Sequence, residues 1–349
     1  MDDKYAPLGG QAVMEGVLMR SPDLLAVAVR KPSNKEIVLE TKKLEKNEKA
    51  SNLSKLPFLR GVYALVDSLK TGMWALNLSA DIVIKDAEEA EKAGLKVDTD
   101  FKLEQPSKVF VVDKSLPENN VVVEEKKSSF AESLMGFGSI ALSLALTVGL
   151  FMVLPASIFN FLKDKVDNVL VLNFIEGGIR LSIFVIYILA ISMMKDVKRL
   201  FQYHGAEHKT IHVYEAREEL TVENARKYTT LHPRCGTNFL FLTALTSIIL
   251  FSFLGKTDSI AIRVASKLAL LPFVASLSYE LIRIAGQIKL KPKNPIVRLA
   301  YILSLPGLLM QKVTTKEPDD AQLEVAIVSL KATLNDKSFD HKVFQESLI

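Results

Sequence analysis

The stretch YHGAEHKTIHVYE, Tyr203 to Glu215, sets His204, His208 and His212 four residues apart with Glu207 between the first two. The chain has five histidines in all, and three of them fall here. On an α-helix at about 100° per residue, His204, Glu207, His208, His212 and Glu215 share one arc of about 140°. Histidines at i and i+4 can share one ion. The run H-x-x-E-H is the inverted form of the H-E-x-x-H zinc motif, in which the glutamate is the candidate base. His204 and His212 lie about 12 Å apart along such a helix, too far for one ion to take all three. A mononuclear site would use one adjacent pair plus a ligand from elsewhere, and a dinuclear site would share the row.

The supplier of further ligands is LHPRCGTNF, where His232 and Cys235 flank a turn enforced by Pro233 and Gly236. Cys235 is the sole cysteine of the chain. Two histidines with a third His or a Cys suit zinc, and a catalytic site keeps a position open for water. A helix can also carry solvent-facing His and Glu with no chemical purpose, but their clustering favours a metal or proton-transfer role. A second segment, LGGQAVMEGVLMRSP, places Glu15 among glycines and apolar residues. It lacks G-x-G-x-x-G and a following Lys-Ser/Thr, so it is no phosphate-binding loop. Its spacing reads as a turn leading into a strand. Its functional alternative is a carboxylate carried to the site by a close-approaching backbone. Glu215, Glu280 and Glu15 all compete for the part of a distant acidic ligand.

The elements that must position these residues come from hydropathy. Of 349 residues 49% are hydrophobic and the mean hydropathy is +0.21, which points to an integral membrane protein with a sizeable polar part. A net charge of +4 without aromatic-interleaved basic runs argues against nucleic acid as a partner. One cysteine rules out an intramolecular disulfide framework and suits a reducing compartment. The first residues, MDDKYAPLGG, do not read as a signal peptide. Leu134–Leu154, Gly177–Met194, Thr237–Leu254 and Ile260–Ile282 are the expected spans. Ile296–Met310, broken by Pro306-Gly307, reads as re-entrant or interfacial. The loop after the second span is rich in basic residues and the loop after the first holds only Lys163 and Lys165. Both termini and the histidine helix are therefore expected on the cytoplasmic side.

The fold class expected is thus a mainly α-helical integral membrane protein. It has about four transmembrane helices plus the re-entrant or interfacial one, and a small N-terminal α+β cytoplasmic part. Residues 1–50 hold a β-hairpin, with LAVAVRKPSNKEIVLE turning at Pro32-Ser33-Asn34. Residues 51–95 form a long amphipathic helix that lies on the membrane or on the bundle. Residues 96–130 form a linker or small insert, with short valine runs at 109–112 and 121–123. Residues 131–313 form the bundle with the His-rich segment 196–235, and residues 314–349 a C-terminal amphipathic helix and tail. Glu176 with Arg180, and Glu280 with Arg283, read as anchoring pairs near helix ends. His341 has no expected role.

Four motifs, GGQAVMEGVLMRSP, YHGAEHKTIHVYE, HPRCGTNF and TTKEPDDAQLEVAI, resemble the YqhQ-like family of bacterial membrane proteins. That family is a domain of unknown function whose members are described as candidate metal-dependent enzymes. The resemblance runs from about Leu8 to Leu334 and is poorest over 96–128. It implies a multi-pass protein of the bacterial cell membrane, with His204, Glu207, His208, His212, His232 and Cys235 inside family motifs. It also raises the standing of Glu15.

Two functions are open at this stage. In the first, the protein is a hydrolase at the cytoplasmic membrane face. His204 and His208 bind Zn²⁺ with His232 or Cys235, and Glu207 takes the proton of an activated water. Its substrates would be membrane proteins or lipid-linked esters and phosphates. In the second, a fully ligated metal serves a non-enzymatic scaffold, assembly factor or ion-handling protein. The sequence leaves substrate, metal and oligomeric state undetermined.

Overall fold

A computed structural model describes residues 8–44, 56, 59–95, 107–112, 138, 141–257, 259–288 and 291–334. The valine run at 121–123 and His341 lie outside the described residues. The chain divides into two compact units. The first comprises residues 1–113, 191–237 and 305–349, and the second residues 114–190 and 238–304.

The first unit is built on a five-stranded sheet in the order β1 to β5: Gly9–Val13, Gly16–Arg20, Leu24–Arg30, Ile37–Lys43 and Val109–Val112. The first four strands are antiparallel and β5 pairs parallel with β4. The hairpin expected at Pro32–Asn34 is β3–β4, closing from Leu24↔Lys43 to Arg30↔Ile37. Val109–Val112, read as part of a linker or insert, adds instead to the sheet beside Ile37–Glu40.

All seven residues of β3, LLAVAVR, are buried because both sheet faces are covered. Alternation sorts them. Ala26 and Ala28 face Tyr203, Ala206, Leu323 and Ile327, whereas Leu25, Val27 and Val29 face Ala75 and Trp74. The second face is covered by α1, Leu59–Lys92, whose apolar residues recur at three- and four-residue spacing.

The opposite face carries α4, Lys195–Ala216, and α9, Asp320–Leu334. α9 was expected to bury one stripe, but Ala321–Leu330 is buried throughout. It is wedged between the sheet and α4, so its polar residues have protein partners instead of water. Glu324 pairs with the buried Arg30 at 2.6 Å and accepts the Ser107 N–H at 2.7 Å, and Ser329 donates to the Ala26 carbonyl at 2.9 Å. The short helix α5, Val222–Arg226, completes the unit.

The second unit holds α2 (Ala141–Leu162), α3 (Val169–Ile191), α6 (Gly236–Ser252), α7 (Ile260–Ala285) and the start of α8 (Pro295–Thr314). Four of these, α2, α3, α7 and α8, are long and apolar enough to cross a membrane. The segments overlap the expected ones, and their bounds differ: the second begins at Val169 and not at Gly177, and the third, the last and the first are corrected as follows. The third, α6, is a helix of 17 residues, about 25 Å long. The last, expected to break at Pro306-Gly307, runs as one helix of 20 residues through Pro306.

The first span was expected to end at Pro155 but continues to Leu162. Pro155 has no N–H to give the Phe151 carbonyl four residues back, and the helix widens into a π turn at Gly149–Val153. Arg180 Nε donates to that carbonyl at 3.0 Å and so replaces the missing bond. α6 runs antiparallel to α3. The Asn173 amide donates to the Ser252 and Leu254 carbonyls at 2.9 Å each, and one turn on Ile248 sits on Gly177.

Candidate metal centre

Helix α4 carries His204, Glu207, His208, His212 and Glu215. Two chain segments lie along it, the loop 227–235 and the C-terminal end of α8 with the residues that follow. Gln311 fixes the loop by bonding both backbone groups of one residue. Its carbonyl accepts the His232 N–H and its amide donates to the His232 carbonyl, both at 2.8 Å. The Lys316 N–H bonds the Phe201 carbonyl at 2.9 Å, so residues 314–316 cross α4 at Gly205. A Cβ on Gly205 would stand 2.1 Å from the Lys316 carbonyl oxygen, and only glycine permits that crossing.

These two segments orient the imidazoles. His204 Nδ1 faces the Thr314 carbonyl at 2.9 Å, His208 Nδ1 faces the Thr230 carbonyl, and His212 Nε2 faces the Leu231 carbonyl at 2.9 Å. A carbonyl only accepts, so each of those ring nitrogens carries the proton and the other nitrogen presents a lone pair. Metal-ligating histidines are held in this way, with the remote N–H given to a carbonyl.

The row divides in two. His204, His208 and Cys235 offer ligand atoms all within 4.8 Å of one another, and so do His212, Glu215 and His232. In the first group His204 Nε2 stands 3.1 Å from Cys235 Sγ, where tetrahedral zinc would require about 3.5 Å between N and S. His208 also hydrogen-bonds Cys235. Two imidazole lone pairs thus converge on one sulfur that has at most one proton to give, and a cation satisfies all three donors together. Cys235 and His208 are buried at 5% and 1% exposure. In the second group His232 Nε2 meets Glu215 Oε1 at 3.1 Å, and His212 Nδ1 stands 4.0 Å from Glu215 Oε2. The Arg234 guanidinium also pairs with Glu215. The rings form a continuous row, His204–His208 at 4.5 Å, His208–His232 at 5.6 Å and His232–His212 at 4.9 Å.

Burial tunes the row. It pushes the His208 and His232 imidazoles below their ordinary value, against the opposing pull of Cys235 and Glu215 respectively, which keeps lone pairs available. Glu207 is 5% exposed and has no hydrogen-bond partner among the described residues. Burial raises its carboxyl to about 7, partly offset by His204. Its neighbour is β1. A Cβ on Gly10 would stand 2.7 Å from Glu207 Cδ, so a bare backbone edge leaves room for that carboxyl.

Glu15 is placed elsewhere. It occupies the β1–β2 turn with φ of 49°. It pairs with the Arg199 guanidinium and accepts the Tyr203 hydroxyl at 3.0 Å. The close approach expected of the glycine-rich segment is made by Gly10, and Glu15 instead ties the turn to the first half of α4. Glu280 belongs to neither ligand group.

A model of a protein family of unknown function, DUF1385, matches residues 56–336. The chain belongs to this family. It is also similar to the uncharacterized protein YqhQ of Bacillus subtilis, with 33% identity over 333 residues that cover 93% of this chain and 92% of that protein. No solved structure matches the chain.

Within this family member, sequence reasoning did not find Gln311, Gly205 or the carbonyls of Thr230, Leu231 and Thr314. Carbonyls belong to every residue type and leave no mark in a sequence. A signal did exist for Gly205 and Thr314, which fall inside YHGAEHKTIHVYE and TTKEPDDAQLEVAI. The meaning of each lies in the crossing of the two segments.

Proposed function

We propose that the protein is a metal-dependent hydrolase of the bacterial cytoplasmic membrane, with zinc held by His204, His208 and Cys235. The observation that carries this reading is Glu207: a buried carboxyl without a hydrogen-bond partner, one residue from a ligand and near neutrality. A fully ligated structural ion would have no use for such a group, which favours the enzyme over the scaffold or ion-handling alternative.

When bound, the ion would lower the pKa of a coordinated water towards about 7 and polarise a carbonyl or phosphoryl oxygen. The carbonyls of Thr314 and Thr230 hold His204 and His208 in the ligating tautomer. Ionised Glu207 takes the proton of the attacking water at its carboxylate and returns it to the leaving group. A value near 7 suits both transfers. His212, Glu215 and His232 lie next along the row, as the second candidate ion group or as a proton path to solvent through Glu215.

We place the first unit on the cytoplasmic side, from the basic residues between α3 and α6. A site at that face reaches peptide bonds of membrane proteins or lipid-linked esters and phosphates.

The test is elemental analysis and turnover of the detergent-purified protein. We expect zinc in the wild type and its loss in the His204→Ala/His208→Ala variant. Glu207→Gln should keep the metal while losing ester, phosphate or peptide hydrolysis by about 10²-fold or more. A folded wild type that takes up no zinc, or a Glu207→Gln variant with undiminished turnover, removes the hydrolase reading.

A further inference from the structure

The second unit buries an ionic cluster that the histidine centre does not use. Glu176 of α3 pairs with Arg263 of α7 at 2.6 Å, with Lys267 of α7, and with Arg180 one turn along α3 at 3.3 Å. The side chains of Glu176, Arg263 and Lys267 are 3%, 2% and 0% exposed. Glu176 is the sole carboxylate that pairs with these three cations among the described residues, so two positive charges are left without a counter-ion among apolar helices. Charge at this depth is costly unless it is paired, and where it persists it serves a ligand or a path.

The excess can be located. Arg263 is well satisfied by Glu176, the Asn173 amide oxygen and the Gly255 carbonyl, with its guanidinium against the Phe159 ring. Lys267 has one acceptor, the Glu176 oxygen that it shares with Arg180. Arg180 has that oxygen and the Phe151 carbonyl released by Pro155. Arg180 and Lys267 lie 5.2 and 5.9 Å from the Phe251 ring centroid, so the two under-compensated cations border one aromatic. The Arg180 side chain, 13% exposed, is where the cluster meets the surface. The helices that carry the cluster expose apolar side chains, among them Leu150, Val171, Phe174, Ile175 and Ile262.

We propose that Arg180, reinforced by the buried charge of Lys267, binds a phosphate-bearing anion, the headgroup of an anionic lipid whose acyl chains lie along these apolar helices. Arg180 supplies planar N–H donors to the phosphate oxygens, and Lys267, fully buried, adds positive charge without contact. None of its residues belongs to the histidine centre, so it stands or falls separately from the hydrolase reading.

The experiment is thermal unfolding of the full chain in a non-ionic detergent with added phosphatidylglycerol, phosphatidylcholine or inorganic phosphate. For the wild type we expect an upward shift on the order of 5 °C with phosphatidylglycerol at saturating concentration. Phosphatidylcholine should give none, and Arg180→Gln/Lys267→Met should lose the shift. Inorganic phosphate reproducing the shift in the wild type alone would keep the anion site and overturn the lipid as its source. Equal shifts from both lipids, or an undiminished shift in the variant, would overturn the site. Should the double variant not fold, phosphorus analysis of the wild type decides. About one phospholipid per chain retained through detergent exchange, and less in Lys267→Gln, supports the site; none retained overturns it.

Discussion

Replacing Glu207 by Gln tests the central physical claim, that this carboxyl is buried without a partner. In the metal-free protein burial raises the folded-state value to about 7, against an ordinary value of 4.5. At about 1.4 kcal/mol per pKa unit, ionising Glu207 in the fold costs roughly 3 kcal/mol. The sign follows from proton binding. The folded state holds the proton more tightly, so the cost is absent below pH 4.5, grows as pH rises towards 7, and is complete above it. Gln is neutral throughout and contributes an offset that does not vary with pH. Between pH 5 and pH 8, in chelator, the wild type should therefore lose about 2.5 kcal/mol relative to Glu207→Gln. That corresponds to a divergence in midpoint of roughly 5 °C. The assay is thermal unfolding followed by the fluorescence of Trp74, the single tryptophan, which belongs to the same unit as the histidine row. Adding zinc should shrink the divergence, because an adjacent cation stabilises the carboxylate. Parallel curves for the two proteins in chelator would refute the reasoning, since a solvated or hydrogen-bonded Glu207 shows no such penalty.

Other outcomes follow from the same geometry. Cys235→Ser should weaken zinc binding by at least about tenfold, measured by competition with a chromophoric chelator, because a hydroxyl is a poor zinc ligand. Gly205→Ala drives a Cβ into the Lys316 carbonyl. It should cost on the order of 3 kcal/mol and also lower zinc affinity about 10-fold or more through the displaced Thr314 carbonyl, read by unfolding and by metal titration. Gly10→Ala presses on the flexible Glu207 side chain instead of on backbone. Turnover should fall while zinc content holds. Glu15→Ala removes the carboxylate that Arg199 and Tyr203 share and should cost about 2 kcal/mol of stability. Its zinc content should be unchanged; loss of the metal would restore Glu15 to the ligand set.

What the sequence determined by itself is local. Four-residue spacing put His204, His208 and His212 on one helical face, since the helix repeat is near that spacing. Alternating apolar residues and the Pro32–Asn34 turn announced β3–β4, and uncharged runs announced the apolar helices. Membership of the family was legible in four motifs.

Tertiary structure decided what spacing leaves open. It gave Cys235 to the first pair of histidines and His232 to His212 with Glu215, because the path of the loop 227–235 is fixed by Gln311, some 80 residues away in sequence. It moved Glu15 away from the row and brought Gly10 beside Glu207, a difference set by where the β1–β2 turn meets α4. It carried α2 through Pro155, where a carbonyl orphaned by proline is met by Arg180 of another helix. It gathered three cations around Glu176, which the sequence offered only as one pair at i and i+4. The physical reason is common to all of these. Spacing along a helix or strand is a property of neighbours in the chain, whereas the tautomer of an imidazole or the charge around a carboxylate is set by groups that only folding brings within 3 or 4 Å.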